Sequence, residues 1–119
     1  MQKFVTIGEN ELYVNFLDVD FKGKYNTEIE RFSENLKTID ENLTDELESM
    51  RLMAGYSKVF FDSVWGECTF DKIFEGRKDL DEIFRTLNAI SEMQDSQEAA
   101  FETMCTEISA KANDDEHLA

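Results

Sequence analysis

Residues Phe60 to Phe84 read FFDSVWGECTFDKIFEGRKDLDEIF. An aromatic helical run, Tyr56, Val59, Phe60, Val64 and Trp65, closes on Gly66, a plausible C-cap. Thr69 can N-cap a short turn over Phe70 to Glu75, which Gly76 ends. Asp79 then opens a last helix, with Glu82 three residues on, an Asp variant of the capping box. The basic pair Arg77-Lys78 sits just before that helix N-terminus, where the dipole does not favour positive charge.

Downstream, Leu80, Ile83, Phe84, Leu87, Ile90, Gln94, Gln97, Phe101, Met104, Cys105 and Ile108 share one helix face. The face weakens between Met93 and Gln97, which predicts a bend or a frayed second half. A disordered acidic tail is expected over 113–119, following a single domain over 1–112.

Upstream, the period changes. From Asn26, Ile29, Phe32, Leu36, Ile39, Leu43, Leu47 and Met50 recur at intervals of three and four. They predict one helix over 27–53, about 40 Å long at about 1.5 Å per residue. Its narrow stripe suits a coiled-coil seam or, the favoured reading, packing on the last helix. Gly55 marks a candidate break. Before it, Val5 and Ile7 alternate with Phe4 and Thr6, Gly8-Glu9-Asn10 is turn chemistry, and Leu12 to Phe16 resumes the alternation. That is a β-hairpin. Leu17, Val19 and Phe21 against Asp18, Asp20 and Lys22 extend the strand to Gly23. The fold class is α+β, mainly α: a hairpin, a long helix, a glycine-bounded helical middle and a long last helix.

With 119 residues the chain makes one small domain. The apolar fraction is 41%, with ten phenylalanines, enough to argue against global disorder. The net charge of -15 repels phosphate backbones and anionic membranes, so neither nucleic acid nor membrane is an expected partner. It fits a basic partner or a very soluble protein. No apolar run approaches the roughly 18–20 residues of a membrane span. The N-terminus lacks the apolar core of a signal peptide. Cys68 and Cys105 show no zinc spacing and read as free thiols of a reducing cytosol.

Chemistry is sparse. The only histidine, His117, falls in the expected tail, so a Ser/His or Cys/His pair lacks a positioned base. There is no Walker A loop, GxGxxG or GxSxG. Asp18 and Asp20 share one side of the expected strand, where a solvated face outweighs a cation site. Asp114, Asp115 and Glu116 lack the glycine and spacing of an EF-hand. No enzyme activity, cofactor or metal is expected. The candidate partner-binding residues are Phe61, Trp65, Phe70, Phe74, Arg77 and Lys78, with the hydrophobic core as the favoured reading of the aromatic ones.

Phe61-Asp62-Ser63-Val64-Trp65-Gly66-Glu67-Cys68-Thr69, followed by Asp71-Lys72-Ile73-Phe74-Glu75-Gly76-Arg77-Lys78-Asp79-Leu80, resembles a pattern in tail assembly chaperones. These belong to long-tailed, siphovirus-like phages and prophages of Gram-positive bacteria. The pattern has an aromatic-Asp, a Phe-Gly-x-Gly-Thr, a Lys-Ile/Val-Phe-Gly and a short polar run. Trp65 stands where Phe is more usual, and Cys68 stands where the second Gly is usual. The resemblance implies a chaperone that binds the tape measure protein, keeps it soluble and helps bring in tail tube protein. It implies the short form of the two that many such genes make. It places the chain in the cytoplasm of the bacterial host and outside the mature virion. A homo-oligomer is a further expectation, from the hairpin edges and the helix stripe. The alternatives are an acidic inhibitor of a host defence protein that mimics nucleic acid, and a structural virion component.

Overall fold

A computed structural model describes residues 1–40 and 45–118, with side chains described through Ala112. Six elements follow in order: β1 (Phe4–Ile7), β2 (Asn10–Tyr13), α1 (Val19–Lys37), α2 (Glu46–Trp65), α3 (Thr69–Ile73) and α4 (Leu80–Leu118). The fold is α+β and mainly α, with an N-terminal hairpin ahead of the helices.

The hairpin is antiparallel, pairing Phe4 with Tyr13, Val5 with Leu12, Thr6 with Glu11 and Ile7 with Asn10. Gly8 takes φ 58° in the turn, a left-handed conformation that costs glycine nothing. Val5, Ile7 and Leu12 are buried on one face. The alternation of period two places them there together.

The strand does not continue to Gly23. It ends at Tyr13, and helix α1 begins at Val19, well before Asn26. Asp18 is the N-cap: its Oδ1 accepts from the backbone N–H of Asp20 at 3.1 Å and of Phe21 at 3.3 Å. A single aspartate satisfying two orphan donors outweighs six residues of apparent alternation. In the helix, Tyr25 and Phe32 are buried, and Phe21, Ile29 and Leu36 pack beside them.

The single helix over 27–53 is two helices. Helix α1 stops at Lys37, where the Thr38 hydroxyl donates to the Asn35 carbonyl at 2.6 Å. Helix α2 starts after Asp45, whose carboxylate accepts from the Glu48 N–H at 2.8 Å. Leu43, part of the expected stripe, lies outside the described residues. The two helices pack antiparallel: Phe21 lies against Trp65, Tyr25 and Phe32 against Phe60, and the Thr38 and Tyr56 hydroxyls are 3.3 Å apart. The α1 part of the stripe thus meets α2 rather than α4, and Leu47 and Met50 stay exposed. Gly55 does not interrupt α2.

Gly66 caps α2 with φ 113°, donating its N–H to the Asp62 carbonyl at 3.0 Å. Cys68, before α3, takes the left-handed φ of 67°. Thr69 is inside α3 rather than its cap, and its hydroxyl donates to the Gly66 carbonyl at 2.7 Å. Asp79 caps α4, accepting from the N–H of Asp81 at 3.0 Å. Gly76, with φ 75°, makes the turn between the two helices.

Helix α4 runs for 39 residues as one helix, through the stretch between Met93 and Gln97 where its face weakens. Its first half buries Ile83, Thr86, Ile90 and Gln97 against the rest of the domain. Every residue from Phe101 to Ala112 is exposed. The molecule is correspondingly long, 69 × 33 × 21 Å. Its radius of gyration is 18.8 Å, against about 13.5 Å for a compact chain of this length. The tail expected over 113–119 falls on residues whose side chains, and for Ala119 the backbone, lie outside those described.

Candidate functional site

The central segment forms the aromatic heart of the domain. Phe61, Phe70 and Phe74 are 1% exposed or less. Phe74 packs edge-on to Phe61 at 5.4 Å and lies 4.9 Å from Phe70, centroid to centroid. The Phe70 N–H donates to Asp62 Oδ1 at 2.9 Å, which ties α3 back onto α2. These three rings are core, and in the folded chain they present no surface. Trp65 is half-buried. Its ring stacks on Phe61 at 5.6 Å, and its Nε1–H donates to the Tyr13 carbonyl at 2.7 Å, fastening α2 to the hairpin.

Arg77 and Lys78 are exposed at the α3–α4 turn, so the six candidates do not share one surface. The Arg77 guanidinium donates to Glu82 at 2.9 and 3.2 Å and to Glu75 at 2.9 Å. These hydrogen bonds, Glu82 first and Glu75 second, raise its pKa further. The conflict of a cation at a helix N-terminus is settled locally by two carboxylates. Glu82 therefore serves Arg77 rather than closing a reciprocal capping box with Asp79.

Asp18 is used as a helix cap and Asp20 is exposed in the first turn of α1, so the pair is not a strand-face site. Among the described residues no three His, Cys, Asp or Glu side chains gather as for a metal ion. His117 has no described side chain. No described helix is long and apolar enough to cross a membrane.

Two features escape the sequence reading. The first is Gln97, wholly buried. Its Oε1 accepts from the Phe16 N–H at 2.7 Å, and its Nε2 donates to the carbonyls of Val14 at 2.7 Å and Gln2 at 2.8 Å. One side chain thus holds the extended segment after β2 against α4. The second is the outer half of α4. Phe101, Met104 and Ile108 are 52%, 42% and 67% exposed and lie at helical spacing on one face. Where this face meets the domain there is a groove of about 380 Å3, lined by Phe16, Leu17, Val19 and Gly23 with Glu98 and Phe101. Val19 in its wall is 84% exposed.

The chain belongs to the Family of unknown function (DUF6673). The match runs over residues 8–115. No curated protein and no solved structure matches it. The span matched includes Phe101, Met104 and Ile108, so the outer half of α4 is part of the family's domain rather than an appendage to it.

Proposed function

We propose that this protein is a phage tail assembly chaperone, which binds the tape measure protein, keeps it soluble and assists assembly of the tail tube. It acts by binding, without catalysis or a cofactor. It works in the cytoplasm of the bacterial host and is absent from the finished virion. The observation that carries this reading is the outer half of α4. A small acidic domain holds three large apolar side chains, one helical face of them, out in solvent. A groove at the base of that face offers a place for an apolar helix to seat. The resemblance over Phe61 to Leu80 supplies the identity of the client.

Such binding is largely apolar and outlasts salt screening, whereas a nucleic-acid mimic loses affinity as salt rises. The test is co-expression with a tape measure protein from the same genome, and recovery of soluble complex from low salt to roughly 0.5 M, where the Debye length is a few ångströms. A complex that persists supports the chaperone. No gain in client solubility at any salt, with tight salt-sensitive binding to a host nuclease, overturns it in favour of the mimic.

A further inference from the structure

The groove lined by Leu17, Val19 and Phe101 opens onto the exposed α4 face that Met104 and Ile108 continue, and the two together make one apolar trough, walled only at its inner end. That end is open at Gly23, where an added Cβ meets nothing within 4 Å. From Phe101 to Ala112 the floor is about 18 Å long at about 1.5 Å per residue, so three to four turns of a partner helix cover it.

The flanks of the trough are mainly acidic. Glu98, Glu102 and Glu107 lie within one turn of the apolar face, and Lys111 is the only basic residue between Glu98 and Ala112. Lys22, across the groove, is already engaged by Glu98 at 3.6 Å. A second copy laid antiparallel, with Phe101 over Ile108 of the other, sets Glu102 against Glu107 twice and Glu98 against Lys111 twice, so the local pairs offset one another. The net charge of -15 on each chain then opposes self-pairing, whereas a cationic partner meets no such repulsion.

We propose that the trough receives an amphipathic helix whose apolar stripe is flanked by Lys or Arg. The inference rests on the chaperone reading and names the chemistry of the client segment that such a chaperone takes. The apolar seam supplies affinity, and the acidic flanks select among apolar helices and speed encounter with the cationic ones.

Two fluorescent peptides of four to five turns, with one Leu/Ile stripe and either Lys or Glu flanks, test this by anisotropy against the full chain. The Lys-flanked peptide should bind about tenfold more tightly at low salt, with the preference shrinking as salt rises. The double variant Phe101→Glu, Ile108→Glu should lose that binding while circular dichroism and the urea midpoint hold, because both side chains are exposed. Equal binding of the two peptides, binding of neither, or full binding by the double variant overturns the proposal. So does a dimer in light scattering that the double variant abolishes, since it gives the face to a second copy.

Co-expression separates this proposal from the reading beneath it. A tape measure protein kept soluble equally by wild type and by the double variant leaves the chaperone standing and removes the trough. A trough that takes the Lys-flanked peptide in a chain that never solubilises the client does the reverse.

Discussion

Replacing Gln97 with leucine removes the single side chain that holds the segment after β2. The Gln2 carbonyl belongs to an exposed residue and returns to water. The Phe16 N–H and Val14 carbonyl do not, because Phe16 is 2% and Val14 0% exposed. Each orphaned buried group costs about 1–3 kcal/mol, so the pair costs about 2–6 kcal/mol. The leucine side chain returns roughly 1.5 kcal/mol of apolar burial. A net loss of about 0.5–4.5 kcal/mol is expected, against the roughly 5–15 kcal/mol that holds an ordinary domain. Urea unfolding followed by Trp65 fluorescence and by circular dichroism measures it. Trp65 reports on the same segment through its bond to Tyr13. Gln97→Glu adds a pH signature. The buried carboxylate faces two carbonyls and keeps no donor for them, so its pKa must rise on folding. A group with a raised folded pKa is stabilising at low pH and loses that contribution as pH rises through the folded value. The deficit of Gln97→Glu should therefore shrink as pH falls. A Gln97→Leu midpoint within about 0.5 kcal/mol of wild type refutes the clamp.

In the aromatic centre, Phe74→Ala should cost about 3–5 kcal/mol, because a wholly buried ring leaves a cavity between Phe61 and Phe70. Trp65→Phe keeps the stacking on Phe61 and loses one hydrogen bond, so about 1 kcal/mol is expected by urea titration. Cys68→Gly should raise stability by up to about 1 kcal/mol, since Cys68 takes φ 67° where a Cβ is strained. Alkaline pH should destabilise the fold. Burial raises the Tyr25 hydroxyl above its ordinary 10.0, and Lys58 is raised by its hydrogen bond to Asp71 and that carboxylate's charge. Below those ordinary values folded and unfolded chains are equally protonated at both groups. Above about pH 10 the unfolded chain sheds its protons first, so stability falls as pH rises. Urea midpoints from pH 8 to 11 should show this, and Tyr25→Phe should flatten the tyrosine part.

Elements with a local signature were legible in the sequence. The hairpin follows from the alternation of Val5, Ile7 and Leu12, the end of α2 from Gly66, and the start of α4 from Asp79. The failures are places where two local codes overlap. Leu17, Val19 and Phe21 alternate like a strand, yet Asp18 is an N-cap, and Phe21 and Tyr25 are four residues apart on a helix facing Trp65 and Phe60. The stripe from Ile29 to Met50 keeps helical spacing across the gap between α1 and α2, although Leu47 and Met50 at its end are exposed. Periodicity says nothing of the chain reversal between them. Thr38 and Asp45 carry that signal, in residue types that also occur inside helices. Gln97 read as a weakening of its face. Its purpose appears only when the extended segment opposite is seen to turn the Phe16 N–H and the Val14 carbonyl toward it. Exposure of Phe101, Met104 and Ile108 is equally invisible, since a stripe that packs and a stripe that waits for a partner have the same spacing.

The outer half of α4 poses the sharpest energetic question. Among the described residues of the helix, the last wholly buried one is Gln97, and nothing described from Glu102 to Ala112 belongs to the core cluster. Phe101 reaches only the groove at its base. Ending the chain after Ala100 should thus leave the urea midpoint within about 1 kcal/mol of wild type, the small cost being the Phe101 contact and a fraying last turn. Solubility should not fall, because three exposed apolar side chains leave with the acidic residues around them. Binding of the Lys-flanked peptide and retention of the tape measure protein should both disappear. If truncation instead unfolds the domain, the outer helix is folding energy rather than a reserved surface. An intact fold with full client retention places the chaperone's surface elsewhere, with the open edge of β1 as the next place to look.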